Sequence, residues 1–229
     1  MKKVEGLVSL PPPMQAPILH KIGQQNFWLS GLRAVFWEEQ KALVLSDLHF
    51  GKTGHFRKAG IAVPQKVYKE DLQRLIGLLQ HFNPQKIIAV GDLFHSLANL
   101  ELDWFKRWRN DFSSLDFHLV KGNHDILKEK WYEEMNIKVW DKEMVLDHFR
   151  FTHDYCEDKN SEYTFCGHIH PGVIINGLGR QSLRFPCFYF SEEHCILPAF
   201  SKFTGMATVE PSRSKIVYAI VENSVIKLQ

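Results

Sequence analysis

Ile87-Ile88-Ala89-Val90-Gly91-Asp92-Leu93-Phe94-His95 is an unbroken apolar run that stops on a glycine and an acid. Four small or branched apolar residues bounded by turn chemistry read as a short buried strand. Its end delivers Asp92 and, three residues on, His95. The same arrangement recurs on either side. Upstream, residues 42–45 form an apolar strand that delivers Asp47-Leu48-His49. Downstream, residues 117–120 deliver Gly122-Asn123-His124-Asp125, residues 149–152 deliver His153 and Asp154, and residues 163–166 deliver Gly167-His168-Ile169-His170.

Between these strands the pattern changes period. From 65 to 82, Tyr68, Leu72, Leu75, Ile76 and Leu79 step at helical intervals, and Asn83-Pro84 ends the helix. A second helix over 102–112 places Trp104, Phe105, Trp108 and Phe112 on one face. A hairpin is expected from 27–29 and 32–37, turned at Ser30-Gly31. After residue 137 nearly every periodic segment reads as strand, over 137–140, 144–146, 173–175, 185–190, 196–197, 216–221 and 224–228. The first half therefore alternates β and α while the second is mainly β. This predicts an α/β (α+β) domain of two mixed sheets packed as a sandwich and flanked by helices, an αββα arrangement. Residues 1–25 lack clear periodicity and are expected to be an N-terminal arm, leaving 26–229 as the single domain.

Composition bounds the function more loosely. The 229 residues are 45% hydrophobic and 24% charged, an ordinary globular balance. No stretch approaches the roughly 18 apolar residues that cross a bilayer, so no membrane partner is expected. The amino-terminal region has no apolar core of a secretory signal, and Pro11-Pro12-Pro13 interrupts it. Cys156, Cys166, Cys187 and Cys195 form no C-x-x-C pair, which favours reduced thiols and a cytoplasmic setting. A net charge of +2 is too mild to announce a nucleic-acid binder.

The five polar islands hold carboxylate and amide oxygens together with imidazoles, the mixed donor set that binds divalent transition metals. In open sheets, residues at strand ends converge although they are distant in sequence. Each fragment alone is weak, because an Asp-x-His triplet is usually a loop end. Five in order, each at a strand end, form a specific pattern. That order resembles the calcineurin-like metallophosphoesterases. The resemblance implies that Asp47, His49 and His170 bind a first metal, that Asn123, His153 and His168 bind a second, and that Asp92 bridges them. It further implies that His124 is a catalytic proton donor toward the leaving oxygen, with Asp125 orienting its ring. The implied reaction is in-line displacement at phosphorus with two divalent ions, Mn²⁺ foremost and Fe, Zn or Ni as alternatives. Asp154 and His95 would sit behind the ligands.

Longer segments narrow the resemblance. These are 45–52 running into His55-Phe56-Arg57-Lys58-Ala59-Gly60-Ile61-Ala62-Val63-Pro64, then 177–188, Leu197-Pro198-Ala199-Phe200 and Phe203-Thr204-Gly205. Over nearly the whole chain they are similar to the ligase-associated DNA-damage-response metallophosphoesterases of the PdeM type. That family implies a phosphodiesterase or endonuclease acting on DNA beside an ATP-dependent DNA ligase and a helicase-like protein. One departure is Ser201, where the family pattern has glycine.

Lys52, Arg57 and Lys58 make the loop beside Asp47 basic, and with Arg180 they are candidate phosphate contacts. The competing reading of that loop is a solvated basic surface. Two further functions share the same motifs. One is hydrolysis of small nucleotides or nucleotide-linked lipid pyrophosphates; the other is a non-catalytic protein-binding scaffold, which the complete ligand set argues against. The aromatic segment 185–203 is a candidate self-association surface for a homo-oligomer.

Overall fold

The computed structural model describes residues 14–52, 66–95, 100–155, 162–177 and 179–228. His55, Arg57, Lys58 and Cys156 lie outside the described residues.

Seven strands form the first sheet in simple chain order: β1 (Ile18–Ile22), β2 (Gln25–Ser30), β3 (Ala34–Trp37), β4 (Ala42–Ser46), β5 (Lys86–Val90), β6 (Asp116–Val120) and β7 (Ile137–Trp140). The first three meander antiparallel, whereas β4 to β7 run parallel. The parallel strands need crossovers, supplied by α1 (Lys66–Phe82), α2 (Leu100–Asp111) and a short α3 (Glu129–Glu134). Strands β4, β5 and β6 are buried along almost their whole length, as a sheet covered on both faces requires.

The lead-in expected to be irregular through residue 25 is instead ordered from Ile18. Strands β1 and β2 pair from Ile18↔Leu29 to Ile22↔Gln25 across a two-residue turn in which Gly23 takes φ +59°. The inward positions of β1 are Ile18, His20 and Ile22. A histidine at the middle inward position breaks the apolar alternation, so the strand escapes a hydrophobicity reading. His20 is accommodated by a 3.0 Å hydrogen bond between its Nδ1 and the Tyr218 hydroxyl.

The second sheet contains β8 (Glu143–Leu146), β9 (Phe149–Thr152), β10 (Tyr163–Cys166), β11 (Pro171–Asn176), β12 (Ser182–Phe190), β13 (His194–Ile196), β14 (Ala207–Thr208), β15 (Ile216–Val221) and β16 (Ser224–Lys227). Strands β9 and β10 are parallel with Thr152 opposite Cys166. An aromatic layer joins the sheets: Phe27 of the first lies 5.1 Å, ring to ring, from both Phe149 and Phe165 of the second. Such pairs add to the area they bury. The opposite face of the first sheet packs Leu43, Leu45, Ile87 and Leu119 against Leu75, Leu78, Phe105 and Trp108 of α1 and α2. All three described helices cover that face. On the outer face of the second sheet a smaller cluster of Val173, Cys187, Val217 and Ala219 gathers. Cys166, Cys187 and Cys195 are buried free thiols.

The consequence for function lies in the register. Ser46, Val90 and Val120 are paired neighbours, so β4, β5 and β6 end level. Strands β9 and β10 end level in the facing sheet. Five carboxyl ends from two sheets therefore open on one rim.

Candidate metal centre

The loops after β4 and β5 zip together before any side chain is considered. Asp47 N–H donates to Gly91 O, His49 N–H to Asp92 O, Phe50 N–H to Leu93 O and His95 N–H to Phe50 O. Asp47 and Asp92 are thereby fixed side by side. Both are buried, at 0% and 3% exposure. Five of the candidate ligands hold left-handed backbone: Asp47, His49, Asp92, His168 and His170 have φ of 53°, 49°, 50°, 64° and 52°. Each such residue costs on the order of 1 kcal/mol or more, and such strain collects where side chains must be aimed.

Two glycines make the closeness possible. A Cβ on Gly91, itself at φ +78°, would stand 1.9 Å from His153 Nδ1. A Cβ on Gly122 would stand 2.3 Å from Asp92 Oδ1 and 2.5 Å from the Asp92 backbone nitrogen. Both glycines are required by contact with a candidate ligand.

The first cluster is Asp47, His49 and His170, whose ligating atoms all lie within 4.8 Å of one another. Asp47 divides its oxygens. Oδ2 takes the Ser46 hydroxyl and the His168 N–H at 3.1 Å. Oδ1 faces His170 Nε2 at 3.1 Å. His170 points its other nitrogen, Nδ1, at Gly205 O, 3.2 Å away. With the proton on Nδ1, Nε2 is left with a lone pair toward Asp47. Burial, then the Lys52 charge, lowers the His49 pKa to about 3, so its ring is neutral and fit to ligate.

The second cluster converges on His153 Nε2. Asn123 Oδ1 is 3.1 Å from it, His168 Nδ1 3.2 Å, and Asp92 Oδ2 3.5 Å. His153 Nδ1 faces Val90 O at 3.4 Å, which again frees Nε2. Asp154 joins this group through Oδ1, 3.6 Å from His168 Nδ1, although it is largely exposed. Asp92 belongs to both clusters: Oδ2 is also 3.9 Å from His49 Nε2. A carboxylate oxygen between the two imidazole groups is where a bridging ligand belongs.

These residues fit divalent cations on a direct criterion. Asp47 Oδ1, both His49 nitrogens and His170 Nε2 are buried with no hydrogen-bond partner. Buried polar atoms without partners are costly, and cations resolve the cost. Electrostatics agree. Burial works against the His153 charge, yet its bond to Asp92 and the Asp47 charge raise its pKa to about 9. Burial likewise opposes ionised Asp92, but His153 and the His124 N–H hold it at about 2. A proton on His153 thus occupies the position that a cation would take.

His124 is set apart from the ligands. Its ring is 41% exposed, Nε2 is 4.0 Å from Asp92 Oδ2, and its N–H donates to Asp92 Oδ1 at 2.9 Å. His95 lies against it, tilted 43° with ring centroids 4.2 Å apart. The orienting role expected of Asp125 is not what the geometry shows. Its two oxygens accept N–H bonds from Phe94 at 3.0 Å and Gly122 at 2.9 Å, tying the β5 loop to the β6 loop. Asp125 is buried, and burial raises its pKa to about 7 against those two bonds.

Of the expected phosphate contacts, Lys52 stands beside the first cluster, half-buried and within the field of Asp92 and Asp47. Burial lowers its pKa. Arg180 is exposed in the turn joining β11 to β12. Six residues of β11 separate that turn from His170, on the order of 20 Å of strand, so Arg180 is not brought to the centre. Arg184, bonded through Nη1 to Met206 O at 3.0 Å, lies nearer. Ser46 and the Gly205 carbonyl are the supports that sequence reading missed. Only the position of Ser46, polar at the end of an apolar strand, hints at its role. Ser201 needs no glycine, because its φ is not left-handed and its Oγ accepts the Phe203 N–H at 3.1 Å.

Comparison with known proteins agrees with this geometry. The family model described as calcineurin-like phosphoesterase matches residues 41–187. The search of curated proteins gave no match. Among solved structures, the nuclease MPE of Pseudomonas putida is 30% identical with a TM-score of 0.78, over 94% of this chain and 100% of that one. The matched segment contains every candidate ligand, and the chain belongs to the calcineurin-like phosphoesterase family.

Proposed function

We propose that this chain is a binuclear metal-dependent phosphodiesterase that acts on DNA. The observation that carries the reading is Asp92 Oδ2, set between His49 and His153 with the exposed His124 ring beside it. Asp47, His49 and His170 would hold one ion, Asn123, His153 and His168 the other, and Asp92 both. Held by these residues, divalent ions would supply Lewis acidity toward a phosphoryl oxygen and would bring the pKa of water from 15.7 to about 7. Two carboxylates against two dications leave net positive charge to draw in a phosphate. The mixed imidazole and carboxylate donors suit Mn, Fe or Zn, and Mn²⁺ is the ion proposed.

The chain's own residues supply the rest. His124 donates a proton to the leaving oxygen, and its exposed ring can reach a substrate lying across the rim. Asp125 holds the loop that presents it. Lys52 adds a positive charge on the side of the first cluster. DNA is favoured on two grounds: the resemblance to ligase-associated phosphoesterases and the structural likeness to a protein named as a nuclease. A DNA ligase and a helicase-like protein are the partners that resemblance suggests.

The test is turnover of a chromogenic bis-phosphodiester and of end-labelled single-stranded DNA by metal-stripped protein with and without Mn²⁺. Mn²⁺-dependent cleavage of both is expected. Cleavage of neither overturns the reading, and cleavage of a small nucleotide alone removes DNA from it.

A further inference from the structure

After β13 the chain runs along the end of β4 and on to the start of β11, and this strap touches the first cluster twice. Ala199 forms an isolated parallel bridge with Ser46. Phe200 N–H donates to Ser46 O at 2.8 Å, and Ser201 N–H to Asp47 O at 3.1 Å. Farther along, Gly205 O accepts His170 Nδ1 at 3.2 Å. One segment thus bears on the backbone of Asp47 and on the ring and tautomer of His170.

The strap is held from behind by two arginines. Arg33 Nη1 donates to Ala199 O at 3.1 Å and to Ser201 O at 2.9 Å. Arg74 Nη2 donates to Phe200 O and Nη1 to Leu32 O, while its Cζ stands 4.3 Å from the centroid of the Phe200 ring. Three consecutive carbonyls are therefore received by two guanidiniums. Arg74 is 1% exposed, and its carboxylate partner is the equally buried Asp71 at 2.7 Å.

Burying such charges costs more than burying apolar side chains of similar volume. A hydrophobic contact could hold the strap down, but only directional donors aim its carbonyls. We infer that Arg33 and Arg74 are positioning residues for the first metal cluster, acting through the strap 199–205 on Asp47 and His170. This rests on the metal reading above. It makes the first ion's affinity depend on two residues that touch no ligand.

The experiment is Mn²⁺ titration calorimetry on the metal-stripped full chain, comparing wild type with Arg33→Met, Arg74→Met and Arg74→Lys, each verified as folded by circular dichroism. Leu78→Ala, in the helix-side core, serves as a variant destabilised elsewhere. One of the two binding steps should weaken by about 10–100-fold in each Met variant, with the other step unchanged. Arg74→Lys should recover part of the loss. Should Arg74→Met not fold, Arg33→Met carries the test, because its two bonds go to the strap alone. Two unchanged steps in the folded Met variants overturn the inference. So does an equal weakening in Leu78→Ala, which would reduce the effect to general stability. A wild-type chain that binds no pair of ions is a different result, since it overturns the metal reading itself.

Discussion

Asp92 and His153 share a 3.5 Å contact, Oδ2 to Nε2, which joins the end of β5 in one sheet to the end of β9 in the other. In the metal-free chain that contact favours a protonated imidazole facing an ionised carboxylate, with pKa values of about 9 and about 2. A cation bound at that contact would displace the proton.

Metal binding should therefore release protons. At pH 7, below the raised His153 pKa, the ring holds a proton that the ion expels. Mn²⁺ affinity should rise about tenfold per pH unit toward pH 9 and flatten above it. Calorimetry in two buffers of different ionisation enthalpy measures the proton count directly. A count of zero at pH 7 with a flat affinity profile contradicts the assignment.

Replacing Gly91 with alanine should empty the second cluster while leaving most of the fold intact. The added methyl would lie 1.9 Å from His153 Nδ1 and 2.3 Å from its Cγ, on backbone that already has φ +78°. His153 has to move, taking the second cluster with it. Metal content measured on folded Gly91→Ala should fall by at least one ion per chain. Full occupancy would show that His153 is not a ligand.

His124→Ala should reduce turnover of a small phosphodiester by about 10²–10⁴-fold, the usual worth of a positioned proton donor. Metal content should not change, because the ring belongs to neither cluster. Asp125 behaves differently. Its removal leaves the buried Phe94 and half-buried Gly122 N–H groups without acceptors, a loss on the order of 3 kcal/mol. Asn cannot substitute, since its NH₂ would face one of those N–H donors. Both Asp125→Ala and Asp125→Asn should thus lower the melting temperature as well as turnover, whereas His124→Ala lowers turnover alone.

The two cationic candidates among the described residues should separate by position. Lys52→Ala, beside the first cluster, should weaken DNA binding and reduce the slope of log K against log salt by about 1. Arg180→Ala, about 20 Å of strand away, should leave turnover of a small diester at the wild-type level. Equal effects of the two on a small diester would mean that the β11–β12 turn folds over the site.

The layered fold and the gathering of the candidate ligands at one rim were legible because both rest on local signals. Apolar runs such as 42–45 and 87–90 mark buried parallel strands, and a polar residue directly after such a run lies at the carboxyl edge. What stayed hidden depends on contacts between distant residues. His20 masks β1, and its Tyr218 partner lies 198 residues away. Asp125 follows His124 directly, which invites a pairing between them, but the loops it joins are set by β5 and β6. Arg33 and Arg74 look like surface charges until the strap arrives from residue 199. The left-handed backbone at five candidate ligands likewise leaves no mark in residue type, because Asp and His do not announce a positive φ as glycine does.

The central claim is one carboxylate serving two ions. Elemental analysis of Mn²⁺-loaded, desalted protein tests it most directly, with wild type and Asp92→Ala compared on folded samples. Two ions per chain in wild type and fewer than one in the variant are predicted. A variant that keeps both ions, or a wild type that never binds more than one, would contradict the account.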